Sequence, residues 1–236
     1  MFRHRYPRAV LLAAAVSAFG AHGAWAQALP MIDNFSTGPV DATLNGAHQT
    51  ATLDFSGAQT GTKILGGQRV TGLELLQSAN PFFENASVRI EKTTPTVTGG
   101  LVVSQGFQAD AVASVDYGLL NGDVGTSLNA NLSVYNRFRV SFLALDGGVL
   151  MDILAYSGTV NSEWGCNVPA SIKPITVDFP LANAYGTANL SDVSALIFEF
   201  QSSGGAFGNS FGISKIAMVS AGAPAGDVTC PAITPG

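Results

Sequence analysis

The sequence predicts an all-β chain: an antiparallel two-sheet β-sandwich of about 10–12 strands, with the jelly roll as its simplest form and very little helix. Three observations predict it. Apolar and polar residues alternate at a period of two along most of the chain, while the 3.6-residue spacing of an amphipathic helix is nearly absent. Gly, Asn and Pro punctuate these runs, with 27 Gly and 11 Pro in 236 residues. Hydrophobic residues make up 47% and charged residues 11%, enough apolar material for a sizeable core, and no crossover helices separate the strands.

Taken in order, residues 1–26 read as a secretory signal peptide. Arg3, Arg5 and Arg8 supply the positive start, Ala9 to Phe19 the apolar run, and Ala24-Trp25-Ala26 the small-x-small cleavage site ahead of Gln27. The run is far shorter than the roughly 20 residues a membrane helix needs, so export with cleavage is expected rather than anchoring. Residues 27–220 then form the sandwich, and 221–236 form a Pro/Gly/Ala-rich C-terminal tail.

Within the sandwich, strands are predicted at 31–36 and 49–55, separated by an Asn45-Gly46 turn signal. Others follow at 63–70, 72–77, 86–93, 96–104 and 111–117. The runs 137–144 and 149–156 flank Asp146-Gly147-Gly148, and so short an Asp-Gly turn predicts a β-hairpin. Strands at 172–179, 193–201 and 211–219 complete the set, with helical turns expected at 182–187 and 189–193. No internal repeat of fixed period is present.

Signal cleavage removes three arginines and no acid, leaving eight basic against sixteen acidic residues, a net charge of −8. Such a balance argues against nucleic acid and against an anionic membrane surface, because both demand a basic patch. No later stretch offers the roughly 18 uncharged apolar residues of a membrane span, so no transmembrane segment is expected after cleavage. Cys166 and Cys230 are the only two cysteines, and in an oxidising compartment they predict one disulfide. It would pin the tail to a Glu163-Trp164-Gly165-Cys166 loop.

Catalytic machinery is scarce. His48 is the only histidine beyond residue 26, and its place beside a turn reads as an exposed loop histidine rather than a general base. No Walker-type phosphate loop occurs, and Gly204 to Gly212 reads as a flexible strand-to-strand connection. Asp110, Asp116, Asp123, Asp152, Glu163 and Asp178 could in principle supply a carboxylate pair, but nothing in their spacing selects one. The chain is therefore expected not to be an enzyme. Asp33, Asp41, Asn121 and Asp123 are candidate oxygen ligands for a structural calcium ion, without an EF-hand signature, and no other cofactor is expected.

Aromatics are the remaining candidates for binding. Tyr117, Tyr156, Trp164 and Tyr185 fall near expected strand ends or loops. There a ring can stack on the C–H face of a sugar while Asn, Asp or Arg hydrogen-bonds the hydroxyls. Four Asn-x-Ser sites, at Asn34, Asn85, Asn131 and Asn189, matter only in a host that glycosylates them.

Ile32-Asp33-Asn34-Phe35, Ile64-Leu65-Gly66-Gly67-Gln68-Arg69, Val115-Asp116-Tyr117-Gly118, Leu190 to Phe200 and Phe211 to Ile216 span residues 31–219. Their layout resembles the galactose-binding-like jelly rolls that serve as carbohydrate-binding modules. It also resembles exported bacterial PEP-CTERM-type surface proteins, without the sorting tail. The resemblance implies a secreted (extracellular or periplasmic), non-catalytic sandwich that binds carbohydrate or another extracellular surface. A self-associating matrix or envelope protein is the alternative, and a carboxylate-based polysaccharide hydrolase or lyase stands third.

Overall fold

The structure, a computed structural model, describes residues 31–45, 52–78, 84–91, 99–120, 123–124, 128–202 and 208–233. The signal peptide, Gly46, His48, Asn121 and Gly204 to Phe207 lie outside them. The chain opens with β1 (Met31–Asp33), β2 (Val40–Asn45), β3 (Thr52–Phe55), β4 (Gln59–Thr60) and β5 (Gln68–Ser78). Next come β6 (Glu84–Glu91), β7 (Gly100–Gln105), β8 (Ala109–Tyr117), β9 (Leu119–Leu120) and β10 (Asp123–Val124). The second half supplies β11 (Arg137–Leu145), β12 (Val149–Ser157), β13 (Val160–Val168) and β14 (Ile175–Pro180). It ends with β15 (Tyr185–Gly186), β16 (Ala195–Ser202), β17 (Asn209–Val219) and β18 (Val228–Thr229). Twelve of these strands are four residues or longer, in keeping with the expected sandwich.

Two sheets stack face to face. Sheet I runs β18-β14-β11-β17-β7-β6-β2, with β1 beside β17; sheet II runs β15-β13-β12-β16-β8-β5-β3, with β4 beside β5. Every pairing is antiparallel except β14 with β18. The two-residue alternation sorts the faces. Phe138, Val140 and Phe142 of β11 point inward from sheet I, and Met151, Ile153 and Ala155 of β12 point inward from sheet II. At the centre the Phe138 ring sits 5.1 Å from Trp164 and 5.7 Å from Phe198, both edge-to-face, the geometry that ring quadrupoles favour.

Several local expectations are corrected. The runs around Asp146-Gly147-Gly148 are strands, but they do not form a hairpin. β11 pairs with β14 and β17 in sheet I, whereas β12 pairs with β13 and β16 in sheet II. The turn is a corner between sheets, stapled by Asn209, which accepts from the Gly147 N–H (3.0 Å) and donates to the Gly148 carbonyl (2.9 Å). Residues 68–78 form one strand through Gly72 instead of two. The segment around Trp164 is the strand β13, not a loop, with Ser162, Trp164, Cys166 and Val168 inward. β2 went unpredicted, β14 starts at Ile175, and Ile172 is left exposed. Of the two helical turns expected, the first is a 3-10 turn at Leu181–Asn183, and the second is a single turn in which the Asp192 N–H donates to the Asn189 carbonyl at 3.0 Å and the Asn189 side chain accepts from the Ser191 N–H.

Three of the segments that carry the resemblance converge on one buried cluster. Asp33, Arg69 and Tyr117 are each fully buried. Asp33 Oδ2 accepts from Arg69 Nη1 at 2.6 Å and from the Tyr117 hydroxyl at 3.0 Å, and Oδ1 accepts from the Phe35 N–H at 2.7 Å. Arg69 also donates to the Thr37 carbonyl at 2.6 Å and lies over the Phe35 ring. A buried charge is tolerated only when paired and hydrogen-bonded, and here nearly every polar atom is engaged.

The tail docks along sheet I. Arg139 holds Asp178 through two hydrogen bonds of 2.6 and 2.8 Å, and Arg137 and Arg139 both donate to the Pro224 carbonyl. Asp178 accepts from the Gly226 N–H, Asp227 accepts from the Thr176 N–H and hydroxyl, and β18 then runs beside β14. Just beyond, Cys230 forms the expected disulfide with Cys166, at a Cα–Cα distance of 5.5 Å. The bond ties the tail to β13 and so links the two sheets along one flank.

Candidate functional site

The outer face of sheet II gathers the remaining chemistry. Because Met151, Ile153 and Ala155 face the core, Leu150, Asp152, Leu154 and Tyr156 of β12 face outward. By the same alternation β13 turns Asn161, Glu163 and Gly165 to this side, β16 turns Ala195, Ile197, Glu199 and Gln201, and β8 turns Asp110, Ser114 and Asp116, of which Ala195, Ile197, Ser114 and Asp116 are buried there. The registers arrange these in cross-strand rows. Tyr185, Glu163, Leu154, Ile197 and Asp116 form one row; Gly165, Asp152, Glu199 and Ser114 form the next. Asn161, Tyr156 and Ala195 form a third.

Leu154, Ala195 and Ile197 make a small apolar cluster separate from the core, with Tyr156 packed against it. Tyr185 stands at the edge, 54% exposed. It reaches its place because Gly186 adopts φ +114 against β13, where a Cβ would collide with the Asn161 carbonyl. From the spacing of strands and residues, the Cα atoms of Tyr156 and Tyr185 are about 12 Å apart on one face.

This face is acidic. β8, β12, β13 and β16 turn Asp110, Asp152, Glu163 and Glu199 to this side, with Asp116 buried beneath it, and contain no Lys or Arg. Asp152 lies directly opposite Glu199, a juxtaposition that sequence spacing could not reveal, since these residues are far apart along the chain. Gln201 donates to both carboxylate oxygens of Asp110, at 3.2 and 3.3 Å.

Of the four aromatics singled out from sequence, only Tyr156 and Tyr185 come to this face. Tyr117 lies between the sheets on Asp33, and burial, followed by the Asp33 carboxylate, pushes its phenol well above the ordinary value. Trp164 is 2% exposed, and its Nε1 donates to the Pro180 carbonyl at 2.9 Å. Neither buried ring presents a face to the surface, because the inward positions of β8 and β13 place both in the core. Among the calcium candidates, Asp33 is the counter-ion of Arg69 and Asp41 pairs with Arg89 at 3.2 Å, while Asp123 falls in β10. No group of three or more His, Cys, Asp or Glu among the described residues is placed to hold a metal. Asn34, Asn131 and Asn189 each accept from the N–H and hydroxyl of the serine two residues on, and Asn85 lies in β6.

No family model matches the chain, and no curated protein matches it in sequence. Among solved structures, it is similar to a family 11 carbohydrate-binding module from Clostridium thermocellum in complex with a β-1,3-1,4-mixed-linked tetrasaccharide. That match has 12% identity and a TM-score of 0.44, and covers 81% of this chain and 95% of the other. It is similar to the carbohydrate-binding module TmCBM61 in complex with β-1,4-galactotriose at 12% identity and TM-score 0.30, covering 56% of this chain and 81% of that one. The agarase AgWH50C matches at 13% identity and TM-score 0.40, over 58% of this chain and 22% of its own. Among the described residues no helix is long and apolar enough to cross a membrane.

Proposed function

We propose that the chain is exported, loses its leader, and acts outside the cytoplasm as a non-catalytic β-sandwich that binds carbohydrate through the outer face of sheet II. The observation that carries this reading is the placement of Tyr156 and Tyr185 on one face, around Asn161 and Glu163 and beside an apolar floor. Sugars need this combination: aromatic surface for the C–H faces, with carboxylate and amide groups for the hydroxyls. A spacing of about 12 Å between the two tyrosine Cα positions suits an oligosaccharide rather than a single sugar. The local excess of carboxylates favours neutral over anionic polymers.

A glycan array followed by titration calorimetry tests the proposal. Retention of a neutral oligosaccharide is expected, with Tyr185→Ala and Tyr156→Ala each weakening it about tenfold. Absence of retention on any glycan, or binding indifferent to both substitutions, overturns it.

The opposition of Asp152 and Glu199 supports a second reading, a carboxylate-based hydrolase. It predicts release of reducing ends from a polysaccharide, abolished by Asp152→Asn or Glu199→Gln. The binding reading predicts retention without product.

A further inference from the structure

The two flanks of the sandwich are finished differently. On one, β18 runs beside β14, β15 runs beside β13, and the Cys166–Cys230 bond ties the tail across. On the other, sheet I ends at β2 and sheet II at β3, and among the described residues no further strand pairs with either. β2 is the longer of the two, six residues against four. A terminal strand presents a row of backbone N–H and C=O groups able to accept another strand.

We infer that β2 docks antiparallel against β2 of a second copy, extending sheet I across a two-fold axis at Ala42. Face parity restricts the register. Val40, Ala42 and Leu44 are buried and point inward, so Asp41 and Thr43 point outward. Only registers that keep inward residues opposite inward residues preserve both faces. A register centred on Asp41 sets two carboxylates against each other, which is destabilising. One centred on Thr43 leaves Val40 with no β2 residue opposite.

Centring on Ala42 pairs Val40 with Leu44 and Asp41 with Thr43, and does so twice by symmetry. It sets a hydroxyl donor against a carboxylate at both places, the chemistry already present within one chain, where the Thr43 hydroxyl donates to Asp41 at 3.4 Å. β2 is therefore complementary to itself. Because the opposite flank is closed, the association ends at two copies rather than growing into a filament. So short a contact falls in the weak, transient class. This surface is separate from the outer face of sheet II, so it stands or falls independently of the carbohydrate reading.

Sedimentation velocity over a concentration series, on the oxidised exported protein, tests this. A monomer–dimer equilibrium is expected. Thr43→Glu sets one carboxylate against Asp41 at each of the two symmetric places and should raise the dimer dissociation constant about tenfold. Thr43→Lys puts an ammonium there and should leave the dimer as tight or tighter. Melting curves on both variants separate loss of contact from loss of fold, and a folded Thr43→Lys variant that dimerises sustains the proposal on its own. A monomer at every concentration up to about 1 mM, equal weakening by Lys and Glu, or species larger than a dimer overturns it.

Discussion

Replacing Asp33 with alanine removes the centre of the buried cluster. The Arg69 guanidinium loses the buried carboxylate it pairs with, and removing one partner of such a pair costs about 3–5 kcal/mol, because the remaining charge stays desolvated. The Phe35 N–H and the Tyr117 hydroxyl lose the acceptor they share, adding roughly 1–2 kcal/mol. Phe35, at φ +52, also loses the hydrogen bond that holds its left-handed backbone. The expected loss is thus about 4–7 kcal/mol, a drop of roughly 10–25 °C in melting temperature for a domain of this size. By contrast, Tyr117→Phe removes a single hydroxyl and should cost about 1 kcal/mol. Replacing both charged partners by apolar residues, Asp33→Leu with Arg69→Met, should recover most of the loss. Urea denaturation with the disulfide intact measures all three. The reasoning fails if Asp33→Ala lies within about 1 kcal/mol of wild type, or if the double substitution is worse than the single one.

Other outcomes follow from the tail, the disulfide and the buried ring. Cys166 and Cys230 close a span of 64 residues, and reduction or a double Cys→Ser change should cost about 4 kcal/mol in the chain-entropy treatment, read by denaturation with and without reductant. Burial pushes the Asp178 carboxyl up. The Arg139 hydrogen bonds, the Gly226 N–H and the charges of Arg139 and Arg137 outweigh that and hold it below 3.8. Its stabilising contribution is therefore complete above that value and is lost as the pH falls through the depressed one. Asp178→Asn should flatten the acid limb of the stability profile below about pH 4, and an unchanged limb would count against the clamp. In a chain prepared as residues 27–236, Trp164 is the sole tryptophan, so native emission should resist aqueous quenchers and stay unmoved by a bound glycan. A ligand-induced shift in that emission would place the sugar elsewhere.

The two-residue alternation made the strands legible, and with them the sandwich. Val88 and Ile90, or Phe138, Val140 and Phe142, declare which residues share a face. Alternation says nothing about which strand lies alongside, and that is where expectation and structure part. Asp146-Gly147-Gly148 announces a reversal of direction equally well for a hairpin and for a corner between sheets. Only Asn209, far along the chain, decides it. β13 stayed hidden because Ser162 interrupts its inward face while Asn161, Gly165 and Asn167 on the other face are residues typical of loops, so Trp164 read as a loop ring free to meet ligand. The motifs around Asp33, Arg69 and Tyr117 were visible one by one, while the long-range contact that joins them was not. The acidic face shares this origin, since cross-strand neighbours such as Asp152 and Glu199 become adjacent only once the sheet order is known.

The corner between β11 and β12 has a kinetic consequence. Since the chain changes layer there, the late strands must be threaded into positions already flanked: β17 between β11 and β7, and β16 between β12 and β8. Both sheets thus receive their central members after the strands that flank them, and neither can close before β16 and β17 are available. A chain of this design therefore stays open along both of its central seams until those two late strands arrive, so folding must be a late and concerted event rather than a layer-by-layer one.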